Sequence, residues 1–422
     1  MNKKRSAFSG KIGYVLSAAG ASVGLGNIWR FPYLAAKYGG GIFLLVYIIL
    51  ALTFGYTMIV AESALGRMTR KSPVGAFRSF AKGKKVGWLS FGGWINAIIP
   101  VLIVPYYSVI GGWVVKYLFE YIRGNGSKLA EDGYFSGFIS NGGATEICFV
   151  IFCMFTLVII YAGVQNGIER VSKIMMPILV VLSVIIAIYS VTRPGAIEGV
   201  KYFLVPNVKN FSWMTVVAAM GQMFYSLSIA MGILVTFGSY MRKDTSIEDS
   251  TRNVEIFDTA IAMMAGLMII PAVFAFSGGD PDTLQAGPSL MFITIPKVFA
   301  NMGFGTAVGI LFFVLVLFAA VTSSIALTES AVSTFEDELG WGRKKATVLT
   351  GVIMITLGTL SCLGYGPLDF VKIIGMQFLD FFDFLTNSVM MPIAALMTSL
   401  LVSRVIGVDT VSYTHLTLPT IA

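Results

Sequence analysis

Two apolar stretches of this chain carry runs that a continuous, lipid-facing helix would not keep. They are Ala21-Ser-Val-Gly-Leu-Gly-Asn27 and Ser226-Leu-Ser-Ile-Ala-Met-Gly232. Glycines and small polar residues let the backbone leave helical geometry there, and the freed amides and carbonyls then need partners inside the membrane. Ions or a polar substrate would supply them. Close packing of small residues between helices is the alternative, and either run alone fits both readings. A third cluster, Thr322-Ser323-Ser324, offers hydroxyl oxygens of the kind a hard cation prefers. The same hydroxyls could instead bond back to their own helix, which is the favoured reading of that cluster alone. Ionisable residues buried in lipid are costly and mark function. Those within apolar stretches are Asp258, Glu62 and Glu329, with Arg30 and Asp383 near segment ends. Asp258 is flanked by Phe257 and the run 260–265, so a nearby cation is the natural way to keep it ionised. Glu62 lies just before a basic loop, where anchoring at the interface is an alternative.

The elements that position these residues follow from composition. Of 422 residues, 56% are hydrophobic and 12% are charged, with a mean hydropathy of +0.80. Soluble domains carry roughly 25% charged residues, so this chain cannot cover its surface with charge. The apolar residues fall in blocks of about 20 or more, the length of a spanning helix. Ten spans are expected, at 12–36, 41–66, 88–120, 145–163, 167–190, 213–241, 254–277, 303–335, 345–362 and 377–406. The two broken runs then fall in spans 1 and 6, the corresponding first elements of two five-helix halves. A matched pair is the pattern of an inverted repeat around a midplane site.

The segment Arg67–Lys85 holds seven Lys/Arg and no acid, and Lys3, Lys4, Arg5 and Lys11 precede span 1. Both belong in the cytoplasm, which places the amino terminus inside. The net charge of +8 is therefore read as membrane orientation and not as nucleic-acid binding. No cleavable leader is visible before the first span. Cys148, Cys153 and Cys362 show no metal-ligand spacing, and the single histidine, His415, lies in the last segment. No histidine–glutamate metal pair, Gly-x-Ser-x-Gly elbow or phosphate loop stands on a suitable element, so an enzyme is disfavoured. Residues 408–422 are polar and threonine-rich and read as a non-native or disordered tail after a 1–407 core.

The run Gly24-Leu-Gly-Asn-Ile-Trp-Arg-Phe-Pro-Tyr33 closely resembles the first-helix signature of the neurotransmitter:sodium symporter family. The match continues through Glu62-Ser-Ala-Leu-Gly-Arg67, Tyr106-Tyr107, the span 6 break, Thr322-Ser-Ser324 and Glu336-Asp-Glu338, and covers essentially 1–407. The resemblance implies an all-α membrane protein with the LeuT-type 5+5 inverted-repeat bundle, repeats at about 12–190 and 213–406, and helices 1 and 6 broken. It implies sodium-coupled amino-acid symport by alternating access, in a bacterial inner membrane.

It also implies roles. One sodium would meet carbonyls of Gly20, Val23 and Ala319 and hydroxyls of Thr322 and Ser323. A second would meet the Ser22 carbonyl, Asn27, Ser226 and Asp258, with the substrate carboxylate closing its shell. That carboxylate would also meet the amides of Gly24, Leu25 and Gly26, at a helix amino terminus, and the Tyr107 hydroxyl. The ammonium would face Ser22, Tyr225 and Ser226. The side chain would lie among Ile103, Tyr107, Tyr225, Ser228, Met231, Ser323 and Leu327, an uncharged set suited to a large aliphatic or aromatic amino acid. Monoamine carriers of the family place aspartate at the position of Gly24; glycine leaves room for a carboxylate. Arg30 and Asp383 would close the outside, with Tyr107 and Tyr225 as an aromatic lid. Arg5 and Asp337 would close the inside, supported by Tyr240. Gly167 and Pro177 resemble an element of span 5 that unwinds to admit water.

Departures from the pattern carry their own implications. Asp258 stands where many relatives have asparagine, and Ala262 where chloride-dependent ones have serine, whereas Tyr47, Gln222 and Ser226 match the chloride site. A fixed carboxylate would then do chloride's work, and chloride independence is expected. Tyr225 replaces a more usual phenylalanine. The sequence ends after span 10, where relatives have eleven or twelve; the ten-helix core is complete, and a homodimer is compatible with it. A non-transporting amino-acid receptor would share the binding residues but would not need both gates.

Overall fold

The computed structural model describes residues 6–81, 87–278, 288–407 and 410. Among these, eight helices are long and apolar enough to cross a membrane: Gly41–Thr69, Gly87–Ile122, Gly142–Tyr161, Val164–Val191, Ile247–Ser277, Gly305–Glu338, Arg343–Leu363 and Phe378–Ile406. They are spans 2, 3, 4, 5, 7, 8, 9 and 10. The two remaining spans are each cut in two. Span 1 is helical over Lys11–Ser22 and resumes at Gly26–Arg30 and Phe31–Lys37. Span 6 is helical over Trp213–Ser226 and again over Ile233–Tyr240.

Helix starts follow local chemistry. Ser212 and Thr215 form a reciprocal capping box at the start of span 6. Ser246 accepts the Asp249 amide at the start of span 7, where Glu248 and Asp249 face the helix amino terminus. Span 7 therefore begins at Ile247 rather than near 254; its first two turns are polar, and the apolar periodicity starts only above them.

Spans 3 and 8 run along one another through the middle of the molecule, and the inner half of span 6 packs on span 2. At 33 and 34 residues, spans 3 and 8 are longer than a hydrocarbon slab of about 30 Å requires. Spans 4 and 5 turn their other faces outward. Ile147, Ile151, Met154 and Val158, then Ile174, Ile178, Val181, Ile185 and Ile188, are exposed at helical spacing. A stripe of that kind belongs against acyl chains.

Candidate functional site

The two breaks meet in the centre of the bundle. Span 1 leaves helical geometry at Val23 (φ −74°, ψ 95°). The Gly24 amide donates to Asn27 Oδ1 at 3.2 Å and the Leu25 amide to the Tyr107 hydroxyl at 3.3 Å. The carbonyls of Gly20 and Ala21 thereby lose the amides that would have closed the next helical turn. Asn27 N turns back to the Gly24 carbonyl at 3.1 Å, which leaves the Val23 carbonyl in the same state.

Span 6 breaks through left-handed residues at Ser228 (φ 54°), Ala230 (61°) and Gly232 (69°). A β-carbon in that region costs about 1–2 kcal/mol per residue, so the linker needs anchors. Ser228 Oγ donates to the Ala21 carbonyl at 3.0 Å, and the Ala230 amide donates to Glu62 Oε1 at 2.8 Å. Glu62 is fully buried. It is not an interfacial anchor: span 2 packs on the inner half of span 6, and the carboxylate is turned to the Ala230 amide there.

The first cluster of oxygens lies between spans 1 and 8. Ser323 Oγ is 3.3, 3.2 and 3.3 Å from the carbonyls of Gly20, Ala21 and Val23. One hydroxyl proton cannot satisfy three carbonyls, so oxygen lone pairs are in excess there. Thr322 Oγ1 bonds back along its own helix to Phe318 (2.9 Å) and Ala319 (3.2 Å), bringing the Ala319 carbonyl and its hydroxyl to the same region. Both sequence alternatives are realised: Thr322 bonds back, whereas Ser323 reaches across to span 1. Ser324 lies away from this cluster, within hydrogen-bond distance of Thr156 Oγ1 at 3.2 Å. An all-oxygen set with surplus lone pairs and no fixed charge fits a hard monovalent cation.

The second cluster centres on Asp258. Its carboxylate accepts from Asn27 Nδ2 (2.8 Å), Ser226 Oγ (2.9 Å) and the Tyr47 hydroxyl (2.9 Å), all buried. The carboxylate makes this set a fit for a cation too, with one adjustment. Asn27 turns its nitrogen to the acid and its oxygen to the Gly24 amide, so ligation through oxygen requires that side-chain amide to turn over. Ser226 belongs wholly to this cluster and does not line the central cavity.

Where the two breaks meet there is a central cavity. It is lined by Ser22, Gly24, Leu25, Gly26, Ile103, Tyr107, Tyr225, Ser228, Met231, Ser323 and Leu327. Ala21, Asn27 and Ile233 also line it; Ile233 opens the second half of span 6 and gives no polar or glycine signal to mark it. No charged side chain is among them. A β-carbon on Gly24 would fall 2.6 Å from Ser323 Oγ, and one on Gly26 2.5 Å from the Tyr225 ring. Both glycines are therefore fixed by close approach.

Above the cavity, the Arg30 guanidinium lies over the Tyr225 ring at 5.2 Å. Asp383 accepts from Tyr106 (3.2 Å) and Asn387 (2.6 Å). Among the described residues no ion pair joins Arg30 to Asp383; the aromatic ring has the arginine and the polar pair has the acid. Below the cavity, Tyr240 donates to Glu329 at 2.7 Å, and Arg343 pairs with Glu329 at 2.5 Å. Asp337 accepts the Ser72 amide at 2.6 Å. Arg5 lies outside the described residues, as do 408–422 apart from Thr410. Phe8, absent from the sequence reading, is buried beside Tyr14, Phe237 and Tyr240.

This geometry agrees with comparison to known proteins. The model of the sodium:neurotransmitter symporter family matches residues 5–127 and 134–417. The sodium-dependent transporter YhdH of Bacillus subtilis is 37% identical over 94% of this chain and 87% of its own length. A sodium-dependent transporter of Haemophilus influenzae is 33% identical over 96% and 90%. The sodium- and chloride-dependent GABA transporter 2 of Bos taurus is 27% identical over 84% and 68%. The crystal structure of MhsT in complex with L-phenylalanine superposes with a TM-score of 0.85 at 36% identity, covering 99% of this chain and 98% of that one. The chain belongs to the sodium:neurotransmitter symporter family: it is a multi-pass, sodium-dependent membrane symporter with the LeuT-type fold, and not an enzyme.

Proposed function

We propose that this protein couples sodium to the inward transport of a large neutral amino acid, aliphatic or aromatic, without need of chloride. The observation that carries the reading is the central cavity, lined by the Gly24–Gly26 backbone, the Tyr107 hydroxyl that meets the Leu25 amide, and otherwise uncharged, largely apolar side chains. The carboxylate would sit against Gly24–Gly26 and Tyr107, where the span 1 helix resumes. The side chain would lie among Ile103, Met231, Ile233 and Leu327, and methionine repacks readily around different shapes. The complex of MhsT with L-phenylalanine supports that size class.

In this reading the two oxygen clusters hold two sodium ions. The one at Asp258 would share the substrate carboxylate, so that each species improves the other's site. Asp258 would supply the negative charge that chloride supplies in other members, with Tyr47 and Ser226 donating to the acid and buried Ala262 in place of a serine. Arg30, Asp383 and Tyr225 would close outward, and Asp337, Glu329 and Tyr240 inward, in a bacterial inner membrane with the amino terminus in the cytoplasm.

Uptake of each of the twenty amino acids into proteoliposomes, in sodium and in choline, tests the proposal. Sodium-dependent uptake confined to large neutral side chains is expected. Selective uptake of a charged amino acid or of a compound lacking a carboxylate would overturn it.

A further inference from the structure

Between residues 154–161 of span 4 and 347–355 of span 9 the outer surface sinks into a groove. Its wall is apolar, with Leu157 and Val158 on one side and Val348 and Val352 on the other. Val158, Val348 and Val352 are each more than half exposed, so the groove is open to the surroundings. Gly351 lets the two helices approach: a β-carbon there would fall 3.0 Å from Leu157 Cδ1. From 347 to 355, at 1.5 Å rise per residue, the groove runs about 12 Å, close to the roughly 15 Å of hydrocarbon in one leaflet.

One end of the groove is cationic. Span 4 finishes at Tyr161 and span 9 starts at Arg343, followed by Lys344 and Lys345, both exposed. Arg343 turns inward and pairs with Glu329 at 2.5 Å and with Glu336 at 3.8 Å. Lys344 turns the other way: its Nζ lies 5.5 Å from the centroid of the Tyr161 ring, which itself lines the groove. Among the described residues no carboxylate pairs with Lys344 or Lys345. Residues 344, 348, 352 and 355 follow one helical stripe, and 345 falls beside 348 and 352, so both lysines stand over the groove's end. An apolar surface alone takes any acyl chain. Two lysines without carboxylate partners at headgroup level favour a chain that carries a negative head. A two-fold pair of copies in one membrane would instead bring four of these lysines together at the same leaflet, a conflict that a lipid phosphate avoids.

We propose that this groove binds one anionic phospholipid, its acyl chain laid along residues 347–355 and its phosphate held by Lys344 and Lys345. The orientation proposed above puts that lipid in the cytoplasmic leaflet; the site itself does not depend on it. The test is native mass spectrometry of the full chain, stripped of lipid in detergent and titrated with phosphatidylglycerol or with phosphatidylcholine of the same chains. Phosphatidylglycerol should give one adduct well before any other, and phosphatidylcholine should not. A lysine near an anionic head is worth about fivefold, so Lys344→Gln or Lys345→Gln should weaken that adduct about fivefold and the double variant about thirtyfold. Val352→Trp, or Val348→Trp, fills the groove from an exposed position and keeps the charges; either should lose the tight adduct. Lys71→Gln, which removes an exposed lysine outside the groove, should leave it unchanged. All variants are compared at a Tm equal to the parent's. Equal binding of the two lipids by the parent overturns the site, as does parental binding in the double lysine variant. A tight adduct that survives both tryptophans overturns it too, since charge alone would then account for it. A parental dimer that Val352→Trp dissociates overturns it in favour of an interface between copies.

Discussion

The two oxygen clusters flank one break in span 1, yet they are built on opposite principles. Around Asp258 a buried carboxylate gathers three neutral donors. Around Ser323 no carboxylate or cationic side chain lies among the described residues, and the oxygens include carbonyls that a broken helix has stripped of their amides. A fixed charge attracts a cation strongly wherever the substrate stands. A ring of carbonyls holds one only while the backbone keeps its shape. If both clusters hold cations as proposed, a local change of fold would weaken the second kind of site more than the first.

The largest effect should come from erasing that difference. Gly24 touches the neutral cluster, with its β-carbon position 2.6 Å from Ser323 Oγ. In Gly24→Asp the new carboxylate would repel the substrate's own; two like charges about 4 Å apart at an effective dielectric near 20 cost about 4 kcal/mol, or roughly a thousandfold in affinity. Equilibrium binding of a large neutral amino acid should be lost in a well-folded mutant, and retained binding would rule out the pose.

Removing the charge instead of adding one comes next. Asp258→Asn should weaken sodium-dependent binding by about a hundredfold, since charge-assisted contacts are roughly twice as strong as neutral ones. Asp258→Asn with Ala262→Ser should recover part of the loss in chloride but not in gluconate. The parent should work equally in both salts, and collapse of parental uptake without chloride would leave Asp258 as a structural residue.

Ser323→Ala removes one neutral oxygen and should raise the sodium concentration for half-maximal binding by about tenfold, the usual worth of one hydrogen-bonding group. No chloride effect should accompany it. A loss as deep as that in Asp258→Asn would mean the two clusters are not different in kind.

The smallest effect concerns the linker. Ala230→Gly relieves about 1 kcal/mol of left-handed strain and gives back some of it as unfolded-chain entropy. A small rise in Tm, readable by differential scanning fluorimetry, is expected; a fall would mean that the Ala230 β-carbon contributes packing that outweighs its strain.

The breaks could be read from sequence because glycine, serine and asparagine are rare together in apolar spans, and the family signature carried most of the cavity wall. The left-handed path of span 6 was hidden, since Ser228 and Ala230 have β-carbons and only Gly232 advertises a positive φ. Ile233 was hidden for the opposite reason: an apolar residue in an apolar span carries no mark. Glu62 and Asp383 show a third limit. Their partners, Ala230 for one and Tyr106 and Asn387 for the other, depend on how helices cross, which local periodicity does not encode. Phe8 stood in a short polar segment before the first span, where no periodic pattern marks a buried ring.

The pairing of spans 3 and 8 has a consequence for how the chain is made. Four whole spans lie between them in sequence, so their contact is of high order and cannot form while the first half alone is in the bilayer. Until the eighth segment is inserted, span 3 exposes a face that includes Tyr117 and Tyr121, both buried in the finished fold and packed on Phe313 of span 8. The nascent protein therefore passes through a stage in which those rings have only provisional partners. During that interval an insertase or membrane chaperone would have most to hold, and a chain truncated before span 8 should be degraded faster than one truncated after it.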